Sequence, residues 1–390
     1  MPLPGNTRTV CGRGPSPCCP GANRCHRSQG KRSSPNRSVA YAYDDVFLRH
    51  NCPAHPENAR RLTAIMSELA STGLLEQLLP LPVSPAPPSV VTRIHDPRYV
   101  AWLERASQDP PYFIEPNTYV SAGSYQAAMS AVGATVECLR AVLDGQADSG
   151  MALVRPPGHH ALRAQPFGFC LLNNIACAAA HAIEEADLDR VMIVDFDLHH
   201  GNGTQDAFYD DPRVYYISIH QYQWPFFPGT GSPDERGRGP GHGFNANIAL
   251  APGAGDLSYQ VCLDELVAPL AETFRPEAIL VSAGYDGHWR ESAAVAQARL
   301  SNADMRLSIG GFDLVAQQLT ALADRFCHGR IVFVLEGGYD GEVLALSLAN
   351  LTRILLGHPE ECVDPLGPSP LPPKDDLDHI RSLQARFNIH

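Results

Sequence analysis

The chain has 390 residues, 44% hydrophobic and 18% charged, which is enough to bury a sizeable core. Residues 1–43 hold seven basic residues and no acid, so a net charge of −12 for the whole chain leaves −19 on the remainder. A body this acidic does not hold a nucleic-acid backbone by counterion release, and no apolar run nears the ~18 residues that span a bilayer; both features argue against direct nucleic-acid binding and a membrane span. The odd count of eleven cysteines lacks framework spacing, and Cys138, Cys177 and Cys262 fall inside expected helices or strands. That pattern predicts reduced thiols, in the cytoplasm or another reducing compartment.

In chain order, residues 1–38 are rich in Gly, Pro, Ser and Arg without hydrophobic periodicity, and read as a disordered basic tail. Its lack of acids fits an organelle transit peptide and equally a plain tail. Cys18, Cys19, Cys25 and His26 lack the paired spacing of a zinc knuckle. Residues 39–362 form the expected domain. Leu62, Ile65, Met66 and Leu69 have helical spacing over 57–70, with Gly73 as the stop. A second helix is expected over 121–144 with Ser121 as N-cap, and others near 173–186, 256–273, 310–326 and 341–356. Alternation of these helices with apolar strands predicts βαβ units and a mainly parallel sheet in one α/β domain. Residues 363–390 read as a Pro-rich connector followed by a short peripheral helix.

Four segments carry the chemistry: MALVRPPGHH (151–160), VMIVDFDLHHGNG (191–203), AILVSAGYDGH (278–288) and IVFVLEGGYD (331–340). Each is a Val/Ile/Leu run typical of a strand buried on both faces, followed at once by His, Asp or Tyr. Ligands in open α/β sheets bind beyond the carboxyl ends of the strands, so these groups should share one crevice. In DFDLHH, an extended chain places Asp195, Asp197 and His199 on one face. With the distant Asp286 added, three N/O ligands and an open position make a catalytic zinc arrangement. The simpler alternative is that Asp195 and Asp197 cap the following turn. Tandem His159 and His160, after a rigid Pro-Pro-Gly turn, suit general acid–base work, with Asp195 and Asn202 as candidates to set their tautomers. Tyr339, after Gly337-Gly338, could donate a hydrogen bond to an oxyanion or could be an ordinary core tyrosine.

The constellation resembles the histone deacetylase family, within the arginase/deacetylase fold, over about residues 41–356. HPENARRL (55–62), RPPGHHA (155–161), GFCLLNN (168–174), DFDLHHGNGTQ (195–205), FFPGTG (226–231), SAGYDGH (282–288) and LEGGYD (335–340) occur in the family's order. The Pro-Pro before GHH and the HHGNG form are similar to the class II branch and its bacterial relatives. The resemblance implies a sheet of about eight strands and a zinc deacetylase domain that hydrolyses the amide of acetylated lysine to acetate and a free amine. It implies one Zn²⁺ on Asp197, His199 and Asp286, and tandem His159 and His160 bonded to Asp195 and Asn202. Tyr339 matches the catalytic tyrosine, and Phe169 and Phe227 the aromatics that wall the acyl-lysine tunnel. It further implies a K⁺ held through Asp195, Asp197, His199 and the residue at Ser218. The tyrosine that vertebrate class IIa members replace by His is present.

Two other readings compete with protein lysine deacetylation. An acetylpolyamine amidohydrolase, or another small-molecule amide hydrolase, would suit the acidic body. Its acidic gatekeeper, however, is not matched in GHWRESAAVA (287–296), where Glu291 is off the expected position and Ala293 or Ala294 lies nearest. A catalytically silent acyl-lysine-binding scaffold is the other reading.

Overall fold

The computed structural model describes residues 37–108, 112–291 and 302–389. Eight of its strands form one sheet: β1 (Val39–Ala42), β2 (Leu79–Pro80), β5 (Ser149–Ala152), β6 (Val191–Asp195), β7 (Val214–Gln221), β8 (Asn245–Leu250), β9 (Ala278–Ala283) and β10 (Ile331–Leu335). Strands β3 (Tyr112–Glu115) and β4 (Thr118–Val120) pair separately as an antiparallel hairpin. The spatial order is β2-β1-β5-β10-β9-β6-β7-β8, and every neighbouring pair is parallel. Both the α/β class and the strand number follow the expectation. Strands β6, β9 and β10 are buried at every position, which is why they are aliphatic without alternation.

Topology then decides where the chemistry goes. From β5 the chain crosses to β6, lays β7 and β8 outward, and returns to fill the gap with β9 and β10. The four motif-bearing segments therefore end on four adjacent strands, β5, β10, β9 and β6, with all their carboxyl ends on one edge.

Helices cover the sheet in two groups: Ser124–Leu143 packs with Asn174–Glu184, while Gly341–Leu356 packs with Arg60–Ser71 and Ile309–Phe326. Their ends follow local chemistry. Asn173, Ser308 and Asp340 each accept an amide of the first turn as N-caps, and Gly357 at φ 96° ends the helix it follows. Gly133 lies where a Cβ would overlap the Ser84 carbonyl oxygen, so this helix needs glycine for its close approach to that loop.

Two boundaries differ from the sequence expectation. The helix expected from 57 starts at Arg60, because residues 57–59 form a turn that frees Glu57 for a buried ion cluster. The helix expected to be capped by Ser121 starts at Ser124 after Gly123 at φ 92°, and Ser121 Oγ donates instead to the Arg49 carbonyl at 3.2 Å. Over 256–274 the helical run holds a π-turn at Leu263–Val267. Residues 377–386 are helical, and among the described cysteines none is bridged. The tail cysteines lie outside the described residues.

A polar contact between two helices gives a pH signature independent of the site. Asp313 accepts from Asn350 Nδ2 at 2.8 Å, and burial, with Asp364 nearby, pushes its carboxyl up to about 7 from the ordinary 3.8. The folded state thus binds this proton more tightly than the unfolded chain, so the contribution of Asp313 to stability falls as pH rises between those two values. Asp313→Asn keeps the acceptor and removes the charge. It should raise the thermal midpoint over the parent at pH 8, with the difference gone near pH 4, as scanning calorimetry at both pH values would show.

Candidate active site

Strand β6 ends at Asp195, so residues 196–200 bend rather than extend. The one-face geometry expected of Asp195, Asp197 and His199 is therefore wrong in detail, although the residues still converge. The bend is held by its own carboxylates: Asp197 N donates to Asp195 Oδ1 at 3.1 Å, and His199 N donates to Asp197 Oδ1 at 2.9 Å. The turn-capping role and the ligand geometry are thus one arrangement. Asp197, His199 and Asp286 each offer a ligand atom within 4.8 Å of the others. His199 Nδ1 lies 3.3 Å from Asp197 Oδ1 and 3.1 Å from Asp286 Oδ2. The outer oxygens are taken by backbone, Asp197 Oδ2 by Gly337 N at 2.9 Å and Asp286 Oδ1 by Leu198 N at 3.2 Å.

The electrostatics of this cluster call for a cation. Burial opposes the charge on Asp197, yet His159 and His199 hold it below the usual carboxylate range. Burial and the charge of Asp197 push Asp286 up. On His199, burial lowers the pKa, but its bonds to the two carboxylates outweigh that and raise it to about 9. Two buried carboxylates and one imidazole form an N/O donor set of the kind that holds zinc with a position left open.

The tandem histidines are bonded as expected. His159 Nδ1 sits 3.0 Å from Asp195 Oδ2, which also accepts from Tyr216 Oη at 3.0 Å, and His160 Nδ1 sits 2.8 Å from Asn202 Oδ1. Their protonation diverges. On His159, burial is outweighed by Asp197 and Asp195, and its pKa rises to about 10; on His160, burial and the charges on His159 and His199 hold it well below the ordinary value. His160 is therefore a neutral imidazole whose Nδ1–H goes to Asn202, leaving Nε2 as an acceptor.

Of these groups His160, His199 and Asp286 line a cleft of about 630 Å³, counting its open mouth, together with Pro56, Asn117, Gly168, Phe169, Leu198, Phe227 and Tyr339. Phe169 and Tyr339 meet edge to face at 5.6 Å, and Phe227 faces His160 at 5.0 Å. Phe169 adopts φ 71°, a conformation costly for a bulky residue, which aims its ring into the cleft. Gly168 before it has no room for a Cβ, which would meet the His160 ring and Phe227. Ser218 pairs with Asp195 in the β6–β7 register, and its hydroxyl bonds His220 Nδ1 at 2.9 Å.

Several site residues escaped the sequence reading. Glu336 accepts from Gly158 N at 2.7 Å and His159 N at 3.2 Å, which fixes the Pro-Pro-Gly-His turn, and burial raises its pKa to about 7. Phe167 stacks on Phe227 at 4.9 Å, and Phe226 stacks on His199 at 5.4 Å. Glu57, fully buried, bonds Arg155 through both oxygens and Arg61 at 3.2 Å, and lies 3.3 Å from His50 Nε2. Arg61 in turn donates to the carbonyls of Glu336 and Gly338 and lies 5.1 Å from the centre of the Tyr339 ring. Glu291 is not on the rim. It is buried and accepts from Tyr339 N and Asp340 N, both at 2.6 Å, whereas Ala293 and Ala294 lie outside the described residues.

Comparison with known proteins gives consistent results. Residues 55–355 match the histone deacetylase domain family. The chain is 39% identical to histone deacetylase 10, chloroplastic, of Oryza sativa subsp. japonica, over 80% of this chain and 72% of that protein. It is 37% identical to histone deacetylase 14, chloroplastic, of Arabidopsis thaliana, over 80% and 75% respectively. The crystal structure of the HDA15 HD domain superposes with a TM-score of 0.79 at 32% identity, covering 90% of this chain and 94% of that one.

The Glu57 cluster predicts a stability effect. Glu57→Gln leaves two buried guanidinium groups short of their counter-charge and should cost about 3–5 kcal/mol, measured by urea unfolding. A loss below ~1 kcal/mol would mean that the cluster is solvated.

Proposed function

The chain belongs to the histone deacetylase family and is a deacetylase-type hydrolase; on that premise we propose that it removes acetyl groups from lysine side chains at a single zinc held by Asp197, His199 and Asp286. The observation that carries this reading is the joint lining of one aromatic-walled cleft by His199, Asp286, His160 and Tyr339. When bound, zinc supplies a Lewis acid for the amide carbonyl and lowers the pKa of a water.

The chain's own residues divide the remaining work. Phe169 and Phe227 wall a slot for an extended, uncharged acyl-lysine arm. His160, neutral and open at Nε2, takes the proton of the attacking water and returns it to the leaving amine. His159, held by Asp195 at 3.0 Å, stands behind it. Tyr339 donates its hydroxyl hydrogen to the developing oxyanion, and burial with Asp286 nearby keeps its phenol protonated, far above the ordinary range. A potassium ion at Asp195, Asp197, His199 and Ser218 belongs to the same proposal and would offset the charge of the carboxylates. The basic, acid-free residues 1–38 and two relatives named chloroplastic support an organellar, thiol-reducing setting. No helix among the described residues is long and apolar enough to cross a membrane.

The test is hydrolysis of an acetyl-lysine peptide and of an N-acetylated polyamine by zinc-loaded protein. Peptide turnover should dominate and vanish in Asp286→Ala, while a polyamine preference would move the substrate to small-molecule amides. Tyr339→Phe should lose about 10²–10³ in kcat, the loss typical of one oxyanion donor. Zinc binding without turnover of either substrate would favour the scaffold reading.

A further inference from the structure

The loop that carries Tyr339 is gripped along its whole backbone. Glu336 N donates to the Ala283 carbonyl at 2.9 Å, Gly337 N to Asp197, and the Gly337 carbonyl accepts from Tyr285 N at 3.1 Å. Arg61 takes the carbonyls of Glu336 and Gly338. The next two amides, Tyr339 N and Asp340 N, precede the helix Gly341–Leu356 and have no carbonyl in reach of a helical bond. Both go to one oxygen of Glu291. The neighbouring Arg290 grips the same turn from outside, with Asp340 at 2.9 Å and Glu342 at 2.8 Å.

We propose that Glu291 is a positioning residue for the reaction, its buried carboxyl oxygen fixing the backbone of Tyr339 and thereby the aim of the phenol. This rests on Tyr339 donating to the substrate as set out above. A carboxylate entirely out of water is costly, and burial here raises its pKa to about 8. Its second oxygen has no partner among the described residues, so hydrogen bonding does not fully offset that cost. What Glu291 adds is one buried oxygen that takes two short bonds, both at 2.6 Å, and so removes the play otherwise allowed by Gly337 and by Gly338 at φ 107°. Glu291 also sits five residues after Asp286, on the helical turn 289–291 that follows β9. One short segment thus carries both the proposed metal ligand Asp286 and the residue that holds the tyrosine, and a displacement of about 1 Å in such a donor is enough to cost on the order of 10² in rate.

The experiment measures kcat and KM on an acetyl-lysine peptide, with zinc content and thermal midpoint, for the zinc-loaded full chain and four variants: E291A, E291Q, Y339F and E291A/Y339F. In E291A, kcat should fall about 10²-fold with KM within about threefold, because the peptide is still held by Phe169 and Phe227. E291Q keeps an acceptor oxygen and should stay within about tenfold of the parent. The double variant should be no slower than Y339F, since both changes remove the same interaction. Full kcat in E291A, a loss confined to KM, or losses that multiply in the double variant would each overturn the proposal. Should E291A not fold, Glu291→Asp stops one methylene short of the two amides and must show the same fall; parental kcat there overturns the proposal. Full activity of Y339F would overturn the role of Tyr339 itself, whereas a slow Y339F beside a fully active E291A overturns only the role of Glu291.

Discussion

Four carboxylates, Asp195, Asp197, Asp286 and Glu336, are brought out of water together at the carboxyl edge of three adjacent strands, β6, β9 and β10. Isolated, such an arrangement would unfold the edge, because a buried charge costs several kcal/mol even after relaxation. Each is held by donors that the surrounding turns supply: the amides of Asp197, Leu198, Gly337, Gly158 and His159, and the ring nitrogens of His159 and His199. The donors are the termini of the motifs themselves, so the loops have the shapes they have because they must solvate these acids. Among these acids Asp197 and Asp286, with His199, place their ligand atoms within 4.8 Å of one another, a donor set that suits a metal.

Behind that edge lies an ion cluster of the opposite kind, rich in fixed positive charge. Glu57 is surrounded by Arg155, Arg61 and His50, and the arginines spread their remaining donors over carbonyls of Phe47, Glu336 and Gly338. Arg155 starts the tandem-histidine turn, and Arg61 supports the tyrosine loop from below. A hydrophobic replacement could fill this volume at similar stability. It could not tie three loops to one another through directed bonds, and this is the sense in which the cluster serves geometry more than stability.

The sequence disclosed what is local. Four aliphatic runs ending in Asp, His or Tyr were enough to infer parallel strands with a shared crevice, and the residues assigned to metal, histidine pair, tyrosine and tunnel all lie in or beside one cleft. What it did not disclose depends on distant partners. Nothing near Glu57 signals Arg155, 98 residues on, or that the turn at 57–59 stays out of the helix to free that carboxylate. The extended reading of 195–199 failed because side-chain parity is informative only while the strand lasts, and β6 ends at Asp195. Glu291 shows the same limit: spacing after Asp286 gives its distance along the chain, not whether the side chain turns to solvent or inward.

The cleft's chemistry separates into a rigid charged floor and an apolar throat, and the order of those layers bears on what can react. Phe169 and Phe227 line the same cleft as Asp286, His160 and Tyr339, so under the proposed function the substrate arm that suits it is uncharged along its length. An acyl amide on a lysine arm meets that condition because acylation removes the ammonium charge that the apolar walls would reject. The product amine, once protonated, is expelled by the same walls that admitted its precursor. Under the proposed function, desolvation against these aromatic walls favours the acylated form over the free amine.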